Sequence, residues 1–296
     1  MFATSVRFLA LACLAGSSLS AVAQDKLQWK FRANETLKYS VVQNMTTIQK
    51  VGDQTRNAVM NQAMDMSWQV LGASAAGDTV MNQIVNRIRM KMDNGPAGVI
   101  EFDTQSDEKP ANPAIARMGQ TFEKIVQKPF QVTMKPTGKI ADVKVPEGLL
   151  DAIQQNAAGN AAALNEDTLK QMMKQSAVTL PGQPVGPNST WTSTESIQLP
   201  FGTMKIDSKM TYLQKDAQGN AIIDIQPQIS VSPREGAPIS MTLTSSEGRG
   251  QVTFNIASGR VLKSRLDLDL TMKISANTGQ AIEQTIKQTT AMTLAQ

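Results

Sequence analysis

The sequence predicts a mainly β protein (an α+β fold). We expect a large curved antiparallel sheet or half-barrel of two diverged repeats, with about three helices covering its concave face. The clearest stretch is 202–231, where apolar and polar residues alternate on both sides of a polar turn at 215–220. The same plan runs from Met60 through Gly77-Asp78 to Met92. Such alternation is typical of hairpins with one buried face, and the chain has room for about eleven or twelve strands.

Residues 1–23 have the features of a secretory signal peptide, and we expect cleavage after Ala23. Arg7 supplies a positive start, an apolar run over 8–19 follows, and Ala21-Val22-Ala23 forms a small-residue cleavage site. That run is shorter than a membrane span, and no longer apolar run follows it. We therefore expect a bacterial protein that is periplasmic or secreted, with no transmembrane span after signal removal.

The strands of the first half are marked by apolar residues at every second position. We place them near 37–48, 60–70, 84–92, 99–104, 130–134 and 139–145. In the third of them, the even-numbered apolar residues are expected on one face because side chains of a strand alternate between its two faces. These residues are Ile84, Ile88, Met90 and Met92.

The hydrophobic period changes in the middle of the chain. Apolar side chains at spacings of three and four predict helices near 112–128, 146–157 and 165–177. Pro113 suits the first turn of the first helix, because its missing N–H needs no partner there. Glu166 and Asp167 suit the first turn of the third, where the helix dipole favours negative charge.

The chain also has the pattern of a diverged duplication. Turn-then-strand segments begin at Asn34 and at Asn188, and Gly-containing hairpin turns recur at Thr137-Gly138 and Ser258-Gly259. Repetition of such a series predicts two copies of one supersecondary unit. We divide a single β-rich domain, 24–296, into half-repeats 24–145 and 185–296, joined by a helical segment, 146–184.

Composition argues against most catalytic chemistry. The chain contains no histidine, and its one cysteine, Cys13, lies within the predicted signal peptide. The mature protein therefore lacks the commonest general base and the commonest ligands of transition metals. A net charge of +4 is too small and too evenly spread to indicate nucleic acid as a partner. We predict no catalytic residues, no metal site and no cofactor, and a protein that is not an enzyme.

Methionine is unusually frequent, with 17 residues against 8 Phe, 3 Trp and 2 Tyr. Because this side chain adapts to irregular apolar shapes, a Met/Ile-lined crevice suits a lipid or other apolar ligand. The candidate ligand-binding residues lie on predicted inward faces: Met64, Met66, Met90, Met92, Met204, Met210, Tyr212 and, on the third helix, Met172. One alternative is a structural or partner-binding envelope protein with a closed core and no ligand. Another is Cu(I) binding by thioether pairs, which the lack of histidine disfavours.

Two segments carry a resemblance to known proteins. Residues Asn34 to Val41 and the central stretch from Pro181 to Trp191 resemble an uncharacterised family of bacterial exported proteins. The resemblance covers most of the mature chain and implies no catalytic residues. In architecture, many antiparallel strands with about three helices are also similar to the periplasmic lipoprotein-carrier fold. That likeness implies a curved sheet that half-encloses helices over an apolar cavity.

Overall fold

The computed structural model describes residues 24–95, 98–107, 113–151, 166–174, 177–199, 201–237, 239–276 and 281–295. The predicted signal peptide, 1–23, lies outside these residues, as do residues 152–157 of the second predicted helix. The side chain of Met172 also lies outside the described part of the structure.

Within the described residues, twelve strands form one antiparallel sheet, as the alternation predicted. They are β1 (Thr36–Val51), β2 (Gln54–Ala73), β3 (Thr79–Asp93), β4 (Val99–Asp103), β5 (Pro129–Met134), β6 (Ile140–Lys144), β7 (Thr190–Leu199), β8 (Gly202–Lys215), β9 (Ala221–Pro233), β10 (Ile239–Asn255), β11 (Arg260–Ala276) and β12 (Ala281–Leu294). The order is β6-β5-β3-β2-β1-β12-β11-β10-β9-β8-β7, and β4 also pairs with β3. The sheet is not closed, and β6 and β7 are its edges.

The two halves of the chain meet through β1 and β12. These strands pair antiparallel from Tyr39–Leu294 to Lys50–Glu283. All strand pairs are antiparallel, so each strand places alternate side chains on the same inner face as its neighbours. The halves therefore share one sheet and one apolar inner face.

Two helices have defined bounds, α1 (Pro113–Ile125) and α2 (Glu166–Lys174), and residues 149–151 are also helical. Phe122 of α1 packs on Phe102 of β4, with ring centroids 5.8 Å apart. Helix α2 contacts both β6 and β7. Because these strands are the two edges of the sheet, the sheet must curl until its edges approach each other. This curl produces the half-barrel.

Local geometry repeats between the halves. Asn34 and Asn188 both adopt positive φ, at 62° and 67°. The Asn34 N–H donates to the Val70 carbonyl at 3.1 Å, and the Asn188 N–H donates to the Tyr212 carbonyl at 2.6 Å. In each half, the turn before the first strand is thus hydrogen-bonded to the C-terminal part of the second strand. The duplication stays a prediction, and these matched turns support it.

An N-terminal segment, residues 25–31, runs between two hairpin turns, one from each half. The Trp29 N–H donates to the Pro136 carbonyl in the β5–β6 turn at 2.8 Å. The Lys30 N–H donates to the Gly259 carbonyl in the β10–β11 turn at 3.0 Å. Asp25 and Val185 exchange two backbone hydrogen bonds, of 2.7 and 2.9 Å. The N-terminal segment therefore closes one end of the half-barrel.

The core is centred on the side chain of Trp29, which is 3% exposed. Its ring lies 5.8 Å from that of Trp68, 5.9 Å from that of Phe254 and 5.9 Å from that of Phe31. The Tyr39 ring also packs against Trp68, with ring centroids 4.8 Å apart. Large aromatic side chains bury much apolar area at low entropic cost, so this cluster is a major source of stability.

A β-bulge in β3 changes which residues face inward. Strand β3 contains one extra residue, Asn86, opposite Asp65 and Met66 of β2. An extra residue exchanges the two faces of the strand beyond it. The prediction that Ile84 faces the same way as the three even-numbered apolar residues after it is therefore wrong. Gln83 faces the core instead and is 3% exposed.

The turn glycines against the N-terminal segment should resist substitution. A Cβ at Gly138 would lie 2.2 Å from the Val178 carbonyl oxygen, and one at Gly259 would lie 2.6 Å from the Lys30 backbone nitrogen. Both glycines also have positive φ, +83° at Gly138 and +66° at Gly259, which other residues rarely adopt. We expect Gly138→Ala and Gly259→Ala each to lower the free energy of unfolding by about 2–4 kcal/mol. Urea unfolding followed by circular dichroism measures this. Gly182→Ala is the control, because no heavy atom lies within 4 Å of its added Cβ. Equal stability of all three variants would contradict the close packing at Gly138 and Gly259.

The attachment of β4 to β3 should depend on pH. Arg87 donates through Nε to Asp103 Oδ1 at 3.0 Å, and its Nη2 contacts Oδ2. The hydrogen bonds from Arg87 hold the pKa of Asp103 below its ordinary value. A carboxyl group whose pKa is lowered in the folded state stabilises the fold. This stabilisation is fully present above the unfolded-state pKa, about 3.9, and is lost as the pH falls through the folded-state pKa.

We therefore expect Asp103→Asn and Arg87→Gln to flatten the loss of stability below about pH 4 relative to the wild type. Urea midpoints measured between pH 7 and 2.5 give the comparison. An unchanged slope in both variants would show that this ion pair adds nothing to acid sensitivity.

Candidate ligand-binding cavity

A cavity of about 550 Å³ lies between the inner face of the sheet and residues 177–179, which we call the cover segment. Its apolar lining consists of Tyr39, Val41, Met64, Met66, Trp68, Ala177, Val178, Ile206, Met210, Ile225, Pro227, Ile229, Val252, Leu266, Leu268 and Met292. Its other lining residues are Gln83, Thr179, Ser193, Glu195, Ser208, Ser264, Arg265 and Thr290. This volume is in the range of small-molecule binding sites.

The floor and the walls of the cavity come from different parts of the strands. Tyr39, Trp68 and Val252 lie near the N-terminal segment and form the floor. Met64, Ile229 and Leu268 lie further along their strands, away from that segment. Because successive inward residues lie two positions apart, each strand adds a short ladder of side chains to the wall.

The cover segment is held in place by two tryptophans. Trp29 Nε1 donates to the Val178 carbonyl at 3.1 Å, and Trp191 Nε1 donates to the Thr179 carbonyl at 2.8 Å. Ser193 Oγ lies 3.5 Å from Thr179 Oγ1. A segment without regular structure is thus fixed over the cavity by side chains from the N-terminal segment and from β7.

The phenol groups near the floor are neutral hydrogen-bond donors. Burial is the main cause that raises the pKa of both Tyr39 and Tyr212 above the ordinary tyrosine value. Tyr39 Oη donates to the Val261 carbonyl at 3.3 Å, and Tyr212 Oη donates to Asp25 Oδ2 at 2.7 Å. Neither hydroxyl is free to act on a bound molecule.

The cavity has little charge. Glu195 is partly buried, with its Oε1 3.4 Å from Ser193 Oγ. The guanidinium of Arg265 pairs with Asp267 at 2.7 Å, and the Arg265 side chain is 63% exposed. Trp68 Nε1 and Gln83 Nε2 are buried, and neither has a hydrogen-bond partner in the part of the chain that the structure describes.

The structure separates the candidate residues into two groups. Met64, Met66 and Met210 line the cavity. Met90 and Met92 share the inner face but pair with Phe102 and Ile100 of β4, away from the cavity.

Two further candidates also lie outside the lining. Met204 pairs with Val231, towards the far end of β8. Tyr212 is fully buried and bonded to Asp25, so its expected role as a contact residue is not supported by its position. For Met172 the structure gives no side-chain placement.

Sequence reasoning missed most of the lining. Tyr39 and Ile206 belong to strands that the alternation predicts, but alternation does not tell how far along a strand the cavity lies. Gln83 was missed because the bulge in β3 gives no clear signal in the sequence. The third helix was predicted to reach residue 177, but residues 177–179 have no regular secondary structure, so the helical period did not reveal the cover segment.

A second recess, of about 700 Å³, is lined by residues of β1, β2, β10, β11 and β12 and is strongly polar. Four of its six charged residues form ion pairs: Arg265 lies 2.7 Å from Asp267, and Lys287 lies 2.9 Å from Asp269. Such cross-strand and neighbouring pairs are ordinary for a solvated sheet face. Among the described residues, no helix is long and apolar enough to cross a bilayer.

Two solved structures show a distant likeness to this chain. Lipovitellin, in a structure of its lipid–protein interactions, is similar over 90% of this chain with 10% identity and a TM-score of 0.48; the chain spans 26% of its length. An outer membrane channel from Pseudomonas putida F1 is similar over 90% of this chain and 97% of its own, with 8% identity and a TM-score of 0.28. Likenesses this distant carry no argument about function.

Comparison with curated proteins gives no match. A family model, by contrast, matches residues 76–261, from the turn before β3 to the start of β11. This match covers more than half of the chain and includes the bulged strand β3 and the cover segment. The chain therefore belongs to DUF6263, a family of unknown function.

Proposed function

We propose that this protein binds a lipid or another apolar ligand, without catalysis, in the cavity beneath the cover segment. The observation that carries the proposal is the lining, which is mostly apolar and includes four methionines, Met64, Met66, Met210 and Met292. Burial of apolar ligand surface against such a wall is favourable, and flexible thioether side chains adapt to ligands of different shape.

The chemistry of the lining favours binding over catalysis. A general base must lie within hydrogen-bond reach of a reacting group and have a pKa near the working pH. Glu195 is the lining carboxylate, its contact is with the Ser193 hydroxyl, and the chain has no histidine to act with it. The phenol of Tyr39 is engaged with a backbone carbonyl.

An envelope location is part of the same proposal. The predicted signal peptide, 1–23, ends just before Asp25, which holds the N-terminal segment to β8 and to Val185. Export of the chain would place the cavity in the periplasm or outside the cell, where lipids must be shielded from water during transfer.

Reducing the cavity volume should weaken binding. We expect Ser208→Phe, which adds an aromatic ring to the cavity wall, to weaken binding of the neutral dye N-phenyl-1-naphthylamine at least about tenfold, or roughly 1.4 kcal/mol. Dye fluorescence during titration measures this affinity, and native mass spectrometry of the purified protein tests for a retained ligand.

Lys209→Phe is the matched control, because the neighbouring side chain points to the opposite, exposed face of β8. It should bind dye as the wild type does. Both variants should keep the circular dichroism spectrum of the folded protein. A wild type that neither retains a ligand nor binds the dye while folded would refute the proposal.

A further inference from the structure

Two hydrogen-bond donors lie side by side at the floor of the cavity. Trp68 of β2 and Gln83 of β3 are direct cross-strand partners. Both side chains line the cavity, and each residue is 3% exposed. Neither Trp68 Nε1 nor Gln83 Nε2 finds an acceptor among the residues that the structure describes.

The other two tryptophans make this pair unusual. The indole N–H groups of Trp29 and Trp191 both donate to carbonyls of the cover segment, at 3.1 and 2.8 Å. Trp68 is as deeply buried as Trp29 but has no acceptor among the described residues. Buried donors without partners are costly and rare in native proteins, so two adjacent ones require an explanation.

We propose that Trp68 and Gln83 bind an uncharged acceptor oxygen of the ligand, such as the carbonyl of an acyl ester. This inference rests on the proposed function and adds the polar chemistry of the ligand to it. The carbonyl end lies at the floor against the two donors. The acyl chain extends past Met64 and Leu268, towards the end of the half-barrel away from the N-terminal segment.

The surrounding charges favour an uncharged acceptor over a carboxylate. Both donors are neutral, and burial of an ionised carboxylate without a cation is strongly unfavourable. Arg265 already bonds to Asp267 through Nε and Nη2 and is largely exposed. The lining contains one further ionisable side chain besides Tyr39 and Arg265. This is Glu195, an acid, which offers no positive charge to a carboxylate.

Three probes of equal chain length test the inference: methyl hexadecanoate, hexadecanoate and hexadecane, each used to displace N-phenyl-1-naphthylamine at pH 8. We expect the wild type to bind the methyl ester about tenfold more tightly than hexadecane, as two modest hydrogen bonds would give. Gln83→Met keeps side-chain length but removes the amide. It should reduce the ratio of ester affinity to hexadecane affinity several-fold relative to the wild type.

Gln62→Met is the matched control. Gln62 lies on the same face of β2 as Trp68 but outside the cavity lining, so its replacement should preserve the preference for the ester. Because Gln83→Met also removes a buried Nε2 donor that has no acceptor among the described residues, it should be no less stable than the wild type in thermal unfolding. This separates loss of binding from loss of folding.

The indole resonances provide a direct second measurement. In ¹⁵N-labelled protein, the methyl ester should move the Trp68 N–H proton signal downfield, as expected for a new hydrogen bond. The signals of Trp29 and Trp191, whose donors are already bonded, should move little. Hexadecane should leave the Trp68 signal without that downfield shift.

The outcomes distinguish this inference from the proposal on which it rests. If the wild type binds ester and hexadecane equally, the cavity binds apolar ligands but the donor pair does not recognise an oxygen, and the inference fails alone. If hexadecanoate binds most tightly, recognition is by charge and the inference also fails. If none of the probes displaces the dye and no dye binds, the proposed function and this inference fail together.

Discussion

The N-terminal segment is the part of the structure on which the rest depends. It lies between the β5–β6 turn and the β10–β11 turn, and its backbone bonds to both. These turns belong to opposite halves of an open sheet, so they can meet only if the sheet is curled. The small size of Gly138 and Gly259 lets the segment approach both turns closely, and Trp29 then fills the space between the halves. One short extended stretch therefore fixes the curvature of the whole sheet.

That closure also explains where the cavity lies. The aromatic cluster around Trp29 closes one end of the half-barrel, and the cover segment lies over the inner face just beyond it. The same indole contributes to both, because its ring packs on Trp68 while its N–H binds the Val178 carbonyl. The floor and cover of the cavity are thus coupled through one residue. Such a cavity combines a closely packed aromatic floor with a wall of methionines, whose flexible side chains suit ligands of different shape.

The lining combines features that favour stability with features that oppose it. Apolar side chains from both halves converge there, yet Trp68 and Gln83 each bury a donor without a partner in the described residues. Departures from the rule that buried polar groups are paired are expected at functional sites rather than in an ordinary core. The floor, rather than the polar recess formed by the central strands, is therefore the part of the molecule to which we assign the proposed recognition.

The sequence by itself determined the secondary structure and the single apolar face. Strict alternation from Met204 to Val231 predicts the β8–β9 hairpin because the period of a strand is two, and that period is a local property of the chain. The apolar spacing likewise predicts α1 and α2. Methionine frequency pointed to an adaptable interior, and Met64, Met66 and Met210 do line the cavity.

Only the tertiary structure decided which part of that face becomes a cavity. The pairing of β1 with β12 joins residues from opposite ends of the sequence, and no local pattern encodes it. The same holds for the hydrogen bond from Tyr39 to Val261, two residues that are 222 positions apart. The bulge at Asn86, which brings Gln83 inward, depends on the register with β2 rather than on the residues of β3 alone. The cover segment takes its position from hydrogen bonds to distant tryptophans. Periodicity tells which way a side chain points, whereas long-range contacts decide what it meets.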